Sequence, residues 1–254
     1  MELGGSQDAL LEQAATIELP ALLDGPSVQS LRQRIASAEA DLGVKVLVLS
    51  GSESVFCQGL DADKLVRTEP SETLGAAIEQ FAAALRALRL GSKPSVALVD
   101  GPALGGGVGL AAACNGVVAT ERATFGLPEA LFGLIPAMVL PLLLERMRPQ
   151  KVRLWALTAT RRSAEEALRE GLVDEVVPSE RLGRAARRWT RSLSRARPRA
   201  VRALAEFSMR AARLSLEEAL GEGAALTHAA VSDPEVRRIL RAFREEGMLD
   251  TEAP

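Results

Sequence analysis

The chain has 254 residues, of which 47% are hydrophobic and 25% are charged, and its formal net charge is −2. This length and composition fit one large globular domain or two small ones. The chain has one histidine and two cysteines, too few for a zinc site built from the usual ligand sets or for a disulfide framework. Two tryptophans and six phenylalanines are too few for a stacking surface for single-stranded nucleic acid.

Short apolar segments alternate with longer amphipathic ones along most of the chain. Runs rich in Val and Leu predict strands at 44–50, 95–100, 116–120 and 172–177. Helices are predicted at 28–40, 73–90, 110–114 and 140–157. Such alternation predicts an α/β layered fold with parallel strands. After Pro178 only helices are predicted, at 182–196, 199–213, 216–231 and 234–246.

Neither a leader nor a membrane span is predicted. The N-terminal segment has no basic stretch followed by an apolar run, and the apolar run around 138–144 is about half as long as a bilayer requires. We therefore expect a cytoplasmic protein without membrane or nucleic-acid partners. The charge is uneven, since residues 180–213 contain eleven arginines and two glutamates. This excess has two interpretations, solvated helix faces or a patch for phosphate groups or an acidic partner.

The most unusual segment is 101–114 (GPALGGGVGLAAAC), in which three consecutive glycines follow a predicted strand and open an Ala-rich helix. Such a turn lets the backbone approach a ligand closely and directs free N–H groups toward it. The alternative is a tight strand-to-helix turn packed against a neighbour. A dinucleotide fingerprint at 107–112 is incomplete, because no acidic residue ends a following strand, and the phosphate-binding Gly-Lys-Ser/Thr ending is absent.

Glu129 stands in a second notable segment, 125–136 (FGLPEALFGLIP), among apolar neighbours. Burial among them would raise the pKa of its carboxyl group, which suits a general base or acid near neutral pH. The alternative is a partly exposed glutamate stabilised by the helix dipole. A third segment, 56–61 (FCQGLD), is a loop when taken alone. Cys57 and Cys114 are expected to fill space as small apolar residues.

Together these segments resemble the crotonase (enoyl-CoA hydratase/isomerase) superfamily in content, order and spacing. That family has a first oxyanion loop of the form F-[CS]-x-G-x-D, a second of the form ALGGG, and an F-G-x-P-E segment, all present here. Residues 164–178 (AEEALREGLVDEVVP) are similar to the family's usual continuation. The resemblance implies a spiral of ββα units over 1–195, which would hold the active site. It also implies a C-terminal helical trimerisation region over 196–254, in a homotrimer or hexamer.

The resemblance assigns catalysis to Glu129 and to the backbone N–H groups of Leu60 and Gly106, which would hydrogen-bond a thioester carbonyl and stabilise its enolate. The family's hydratases use a second glutamate, whose place is taken here by Gly109. One carboxylate is enough for a double-bond isomerase or a syn elimination. The other positions implied to contact substrate are Gln58, Gly59, Asp61, Ala103, Gly105, Phe132 and Pro136. No metal or bound organic cofactor is implied.

The run 125–151, together with 56–61, resembles the β-branching dehydratases of polyketide biosynthesis. These convert 3-hydroxy-3-methylglutaryl, carried on an acyl carrier protein, into a 3-methylglutaconyl thioester. Where most crotonases have a glycine-rich stretch after the proline at 136, this chain has Ala-Met-Val-Leu-Pro at 137–141. An acidic carrier protein would suit the arginine-rich 180–213 segment, and so would the phosphates of CoA. Two alternatives stay open, namely an isomerase or hydratase of free CoA thioesters and a non-catalytic partner protein.

Overall fold

A five-stranded parallel sheet lies at the centre of the computed structural model, which describes residues 13–52, 54–61, 64 and 72–246. In spatial order its strands are β1 (Ala14–Glu18), β2 (Val46–Ser50), β3 (Ser95–Val99), β5 (Gly116–Thr120) and β8 (Glu175–Val177). A smaller sheet consists of β4 (Pro102–Leu104), β6 (Thr124–Gly126) and β7 (Arg162–Ser163). Because parallel strands end at one edge of a sheet, the loops that follow β2 and β3 begin side by side.

Helices connect and cover the strands. They are α1 (Gly25–Ala40), α2 (Glu72–Leu90), α3 (Gly106–Ala113), α4 (Leu140–Arg146), α5 (Pro149–Thr158), α6 (Ala164–Glu170), α7 (Leu182–Leu193), α8 (Pro198–Ala211), α9 (Leu216–Ser232) and α10 (Pro234–Glu246). A capping box starts α1, where Asp24 accepts a 3.0 Å hydrogen bond from the Ser27 backbone N–H and Ser27 Oγ accepts one of 2.7 Å from Asp24 N–H. Short 3₁₀ turns lie at Glu129–Phe132 and Ser179–Arg181.

The two faces of the main sheet pack against different helices. Leu47 and Leu49 of β2 belong to the larger apolar cluster, which includes side chains of α1, α2 and α3. Val46 and Val48 point to the other face and belong to a smaller cluster with Ala185 of α7. This period-two alternation places α3 and α7 on opposite sides of the sheet.

The chain divides into two compact units, 1–205 and 206–254. In the second unit a capping box of Ser215 and Glu218 starts α9, and Arg210 pairs with Glu222 at 2.5 Å. The trimerisation role predicted for the C-terminal helices stays a prediction. None of the helices among the described residues is long and apolar enough to cross a membrane.

The α/β class and the parallel sheet are confirmed, whereas some predicted elements differ from the structure. The single helix predicted over 140–157 is wrong, because α4 ends at Arg146 and α5 begins at Pro149. Proline has no N–H to donate and forces the preceding Arg148 into extended backbone, with φ −63° and ψ 131°. The helix predicted at 110–114 begins earlier in the structure, at Gly106. Its first turn contains glycines, whose poor helix propensity is the reason that the sequence pattern did not predict this start.

Candidate active site

The segments Phe56–Asp61 and Gly101–Gly107 form two adjoining loops at the carboxyl edge of the main sheet. The N–H groups of Phe56 and Cys57 donate hydrogen bonds of 3.0 and 3.3 Å to the Pro102 carbonyl oxygen. The Leu104 N–H in turn donates a 2.9 Å hydrogen bond to the Cys57 carbonyl oxygen, and Cys57 pairs with Ala103 as in a parallel strand. Backbone bonds thus hold the two loops in a fixed relation.

Gly59 allows the first loop to approach the second. Its φ is +80°, and a Cβ built on it would lie 2.7 Å from Gly106 N, so a larger residue would be both strained and obstructed. The Gly59 N–H donates to Cys57 Sγ at 3.4 Å, and the Asp61 N–H donates to the Leu23 carbonyl oxygen at 2.9 Å. Between them, the Leu60 N–H makes no hydrogen bond to any described residue. It is available to a ligand.

Three consecutive glycines, Gly105 to Gly107, form the end of the second loop, and each is required for a different reason. Gly105 has φ +50° and ψ −115°, outside the regions open to other residues, and donates a 2.9 Å hydrogen bond to the Gly126 carbonyl oxygen. Gly106 is the first residue of α3, so its N–H has no intrahelical acceptor, and no other described residue accepts from it. A Cβ on Gly107 would overlap the Cys57 carbonyl oxygen.

Glu129 opens the 3₁₀ turn after β6, and its side chain lies over Gly105. Its Oε1 is 3.0 Å from the position of a Cβ on Gly105, so the glycine makes room for the carboxylate. Its Oε2 is buried and has no hydrogen-bond partner among the described residues. Burial raises the pKa of the Glu129 carboxyl group. The backbone N–H of Glu129 itself bonds the carboxyl group and lowers its pKa by less than burial raises it. The unpartnered Oε2, beside two available N–H groups, can accept a proton from a ligand bound there.

A cavity of about 300 Å³ adjoins the first loop on the side of α1 and α2. Its lining is largely apolar and includes Leu23, Leu60, Leu74, Ala77 and Ile78. Lys64 Nζ and Asp24 Oδ2, 2.5 Å apart, also belong to the lining. The hydrogen bond from Lys64 holds the pKa of the Asp24 carboxyl well below its usual range. Leu60 belongs to this lining whereas Gly106 and Glu129 do not, so the cavity adjoins the site at the first loop.

The other residues predicted to contact substrate differ in burial and in how directly they border this site. Gly59 and Gly105 shape it directly, and Asp61 lines the cavity. Ala103 is fully buried beneath the loops, and Pro136 is buried as well. Gln58 is exposed, and Phe132 is 70% exposed just beyond Glu129.

The two cysteines are buried and unsuited to nucleophilic chemistry. Burial raises the pKa of the Cys57 thiol to about 11 and that of Cys114 to about 12, so both stay protonated at neutral pH. This agrees with the prediction that both fill space as small apolar residues.

Comparisons with known proteins identify the family to which the chain is similar. The family model described as enoyl-CoA hydratase/isomerase matches residues 22–252. A carnitinyl-CoA dehydratase of Proteus mirabilis is 34% identical over 184 residues, which cover 70% of this chain and 68% of that protein. An (E)-benzylidenesuccinyl-CoA hydratase of Thauera aromatica is 33% identical over 204 residues, 78% of this chain and 77% of that protein. The solved structure of Pseudomonas aeruginosa AtuE superposes with a TM-score of 0.82 at 30% identity, covering 92% of this chain and 94% of that one.

The chain belongs to the enoyl-CoA hydratase/isomerase family. Membership confirms the crotonase fold predicted from the three motifs. It also confirms the predicted enzyme class, because the related hydratases and dehydratases are hydro-lyases.

This enoyl-CoA hydratase/isomerase relative differs from the family's two-glutamate pattern at Gly109. Gly109 is buried in α3, and a Cβ built on it would lie 2.9 Å from Val139 Cγ2 and 3.7 Å from Leu85 Cδ2. Val139 is buried and comes from the 137–141 segment that replaces the family's glycine-rich stretch. The space that a second carboxylate would need is therefore filled by packed apolar side chains.

Two residues that shape this site were missed by sequence reasoning. Val139 fills the space over Gly109, and Phe81 of α2 packs beneath the second loop, with its Cζ 3.0 Å from a Cβ on Gly106. The unusual 137–141 segment could have indicated Val139. Phe81 carries no local signal, because its contact with the loop depends on how α2 packs against α3.

Proposed function

We propose that this enzyme dehydrates 3-hydroxy-3-methylglutaryl on an acyl carrier protein to 3-methylglutaconyl on the same carrier, releasing water. The observation that carries the proposal is the buried Oε2 of Glu129, which has no hydrogen-bond partner among the described residues, beside the available N–H groups of Leu60 and Gly106. The filled space over Gly109 excludes a second carboxylate from the position that the family's two-glutamate hydratases use.

The first step breaks the C–H bond at the α-carbon of the thioester. The Leu60 and Gly106 N–H groups donate to the thioester oxygen, where negative charge accumulates as the proton leaves. Glu129 accepts that proton, and the enolate electron pair is stabilised on the oxygen. The raised pKa of Glu129 makes its carboxylate a stronger base than an exposed one.

The second step breaks the bond between the β-carbon and its tertiary hydroxyl oxygen. The enolate electrons form the new α,β double bond as the hydroxyl departs, and the protonated Glu129 returns its proton to that oxygen. Water leaves and Glu129 is again a carboxylate, so one residue serves as base and then acid on the same face of the substrate. A syn elimination of this kind needs no second carboxylate.

The relatives support loss or addition of water as the reaction class, and their names give CoA as the thiol of their own substrates. One is named a dehydratase and another a hydratase, and both names specify CoA thioesters. A dehydratase or hydratase of free CoA thioesters is therefore the second candidate. A non-catalytic role has less support, because the Leu60 and Gly106 N–H groups and Glu129 Oε2 have no hydrogen-bond partners among the described residues, as a catalyst of this kind would require.

Substrate comparison tests the proposal. Purified protein is incubated with 3-hydroxy-3-methylglutaryl on carrier protein, with the same acyl group on CoA, and with crotonyl-CoA, and gain or loss of water is followed by mass spectrometry. We expect rapid loss of water from the carrier-bound acyl group and slower turnover of the others. Rapid hydration of crotonyl-CoA without dehydration of the branched substrate would overturn the assignment.

A further inference from the structure

The outer face of α7 carries a row of arginines. Arg184, Arg187 and Arg191 are spaced three and four residues apart, so they share one face of the helix, and all three are exposed. Arg181 and Arg195 flank the helix at its two ends and are also exposed. We call these five residues the arginine stripe. On the opposite face of α7, Ala185, Ala186 and Thr190 are buried.

Within the described part of the chain, no acidic side chain pairs with the stripe. The nearby carboxylate of Glu175 pairs with Arg188 and accepts a 2.7 Å hydrogen bond from Trp189 Nε1. Burial raises the pKa of Glu175, but these two contacts hold it below its usual range. No Asp or Glu occurs within α7 itself. Like charges three and four residues apart destabilise a helix, so an acidic partner would relieve a repulsion present in the free protein.

The stripe begins at the edge of the sheet that carries the active site. Helix α7 follows β8, whose carboxyl end lies at the same edge as those of β2 and β3, where the two oxyanion loops begin. The body of α7 covers the face of the sheet opposite α3. The stripe therefore lies on the other side of the sheet from α3 and starts near the edge where these loops begin, which suits a partner that docks on this face and delivers its acyl group over the edge of the sheet.

We infer that the arginine stripe is the docking surface for the acidic carrier protein that presents the acyl thioester. The inference rests on the proposed function, because it requires a substrate attached to a protein. A surface of one charge sign raises the rate of encounter with an oppositely charged protein, and the gain decreases with ionic strength.

The test reverses the charge of the stripe without touching the site. The variant carries Arg184→Glu, Arg187→Glu and Arg191→Glu. A matched control carries Arg32→Glu, Arg86→Glu and Arg241→Glu, three exposed arginines elsewhere that give the same change in net charge. For each protein, kcat/KM is measured with the acyl group on carrier protein and on free pantetheine, at low and high salt. The dissociation constant for the holo-carrier protein without an acyl group is measured separately.

We expect the stripe variant to lose at least about tenfold in kcat/KM with the carrier substrate at low salt. Turnover of the pantetheine thioester should be unchanged, and the matched control should resemble the wild type. High salt should bring the wild type close to the stripe variant. An equal loss on both substrates, or an equal loss in the matched control, would overturn the inference.

The binding measurement separates failure of docking from failure of the proposed reaction. If no substrate is dehydrated but the holo-carrier binds the wild type and not the stripe variant, the docking inference stands and the proposed reaction is wrong. If the acyl group is dehydrated and the stripe variant binds carrier as tightly as the wild type, the docking inference is wrong. It is also overturned if the stripe variant loses binding to a DNA duplex while its carrier affinity is unchanged.

Discussion

The packing of Val139 against Gly109 makes a quantitative prediction about a double-mutant cycle. In Gly109→Ala the new Cβ would lie 2.9 Å from Val139 Cγ2, closer than real Cβ contacts. Replacing a helical glycine by alanine stabilises a helix by about 1 kcal/mol, whereas overpacking a core costs about 1–3 kcal/mol. The single variant should therefore range from no gain in stability to a loss of about 2 kcal/mol.

Val139→Ala removes the methyl group that obstructs position 109. On its own it should lower the free energy of unfolding by about 2 kcal/mol, because two buried methyl groups are lost. Combined with Gly109→Ala, the obstruction is absent and the helix-propensity gain is recovered, so the double variant should be about 1 kcal/mol less stable than the wild type. The coupling energy between the two positions should thus be about 1–3 kcal/mol, in favour of the double variant.

Urea unfolding of the wild type, both single variants and the double variant measures this coupling. Leu85→Ala combined with Gly109→Ala is a useful control, because Leu85 Cδ2 lies at an ordinary contact distance of 3.7 Å from the Cβ position. A Gly109→Ala protein that gains the full 1 kcal/mol or so of helix propensity would refute the reasoning, since it would show that Val139 does not fill the space.

Further predictions concern the donors and the base. Glu129→Gln should lower kcat at least about 10²-fold, the lower limit for loss of a general base, without changing the circular dichroism spectrum; turnover that persists would place the base elsewhere. Burial raises the pKa of Glu129, and the base must be ionised to act, so kcat/KM should fall with decreasing pH at a midpoint above that of an ordinary glutamate. Glu129→Asp is the control, because it should move this midpoint. Gly59→Ala would bring a Cβ to 2.7 Å from Gly106 N, so kcat should fall about 10²–10³-fold, as for loss of one oxyanion donor, with thiol labelling to confirm that Cys57 stays protected.

The fold class and the short motifs of the candidate site could be predicted from the sequence, whereas several elements and long-range contacts could not. The glycines at 105–107 and the carboxylate of Glu129 stand in short local motifs, and their roles follow from backbone freedom and charge, which are local properties. The strands of the small sheet were missed because two or three residues give too little periodicity to recognise, and β1 (AATIE) was missed because it lacks the run of Val and Leu that marks β2. The contact between Gly109 and Val139 is long-range, so no local pattern reveals it.

The same burial that raises the pKa of Glu129 also costs the folded protein stability at neutral pH. Its pKa is raised by folding, so the protonated form is favoured in the folded state. The stabilising contribution of the protonated carboxyl is complete below the pKa of the unfolded chain and is lost as pH rises through the higher folded-state pKa. At neutral pH the ionised Glu129 therefore destabilises the fold, and Glu129→Gln should raise the free energy of unfolding there. The gain should shrink as pH falls, and Glu180→Gln, at an exposed surface position, should show no such change. An inactive variant that is more stable than the wild type at neutral pH, and not at acidic pH, would mean that the fold holds a charged carboxylate in place for its chemistry at the expense of stability.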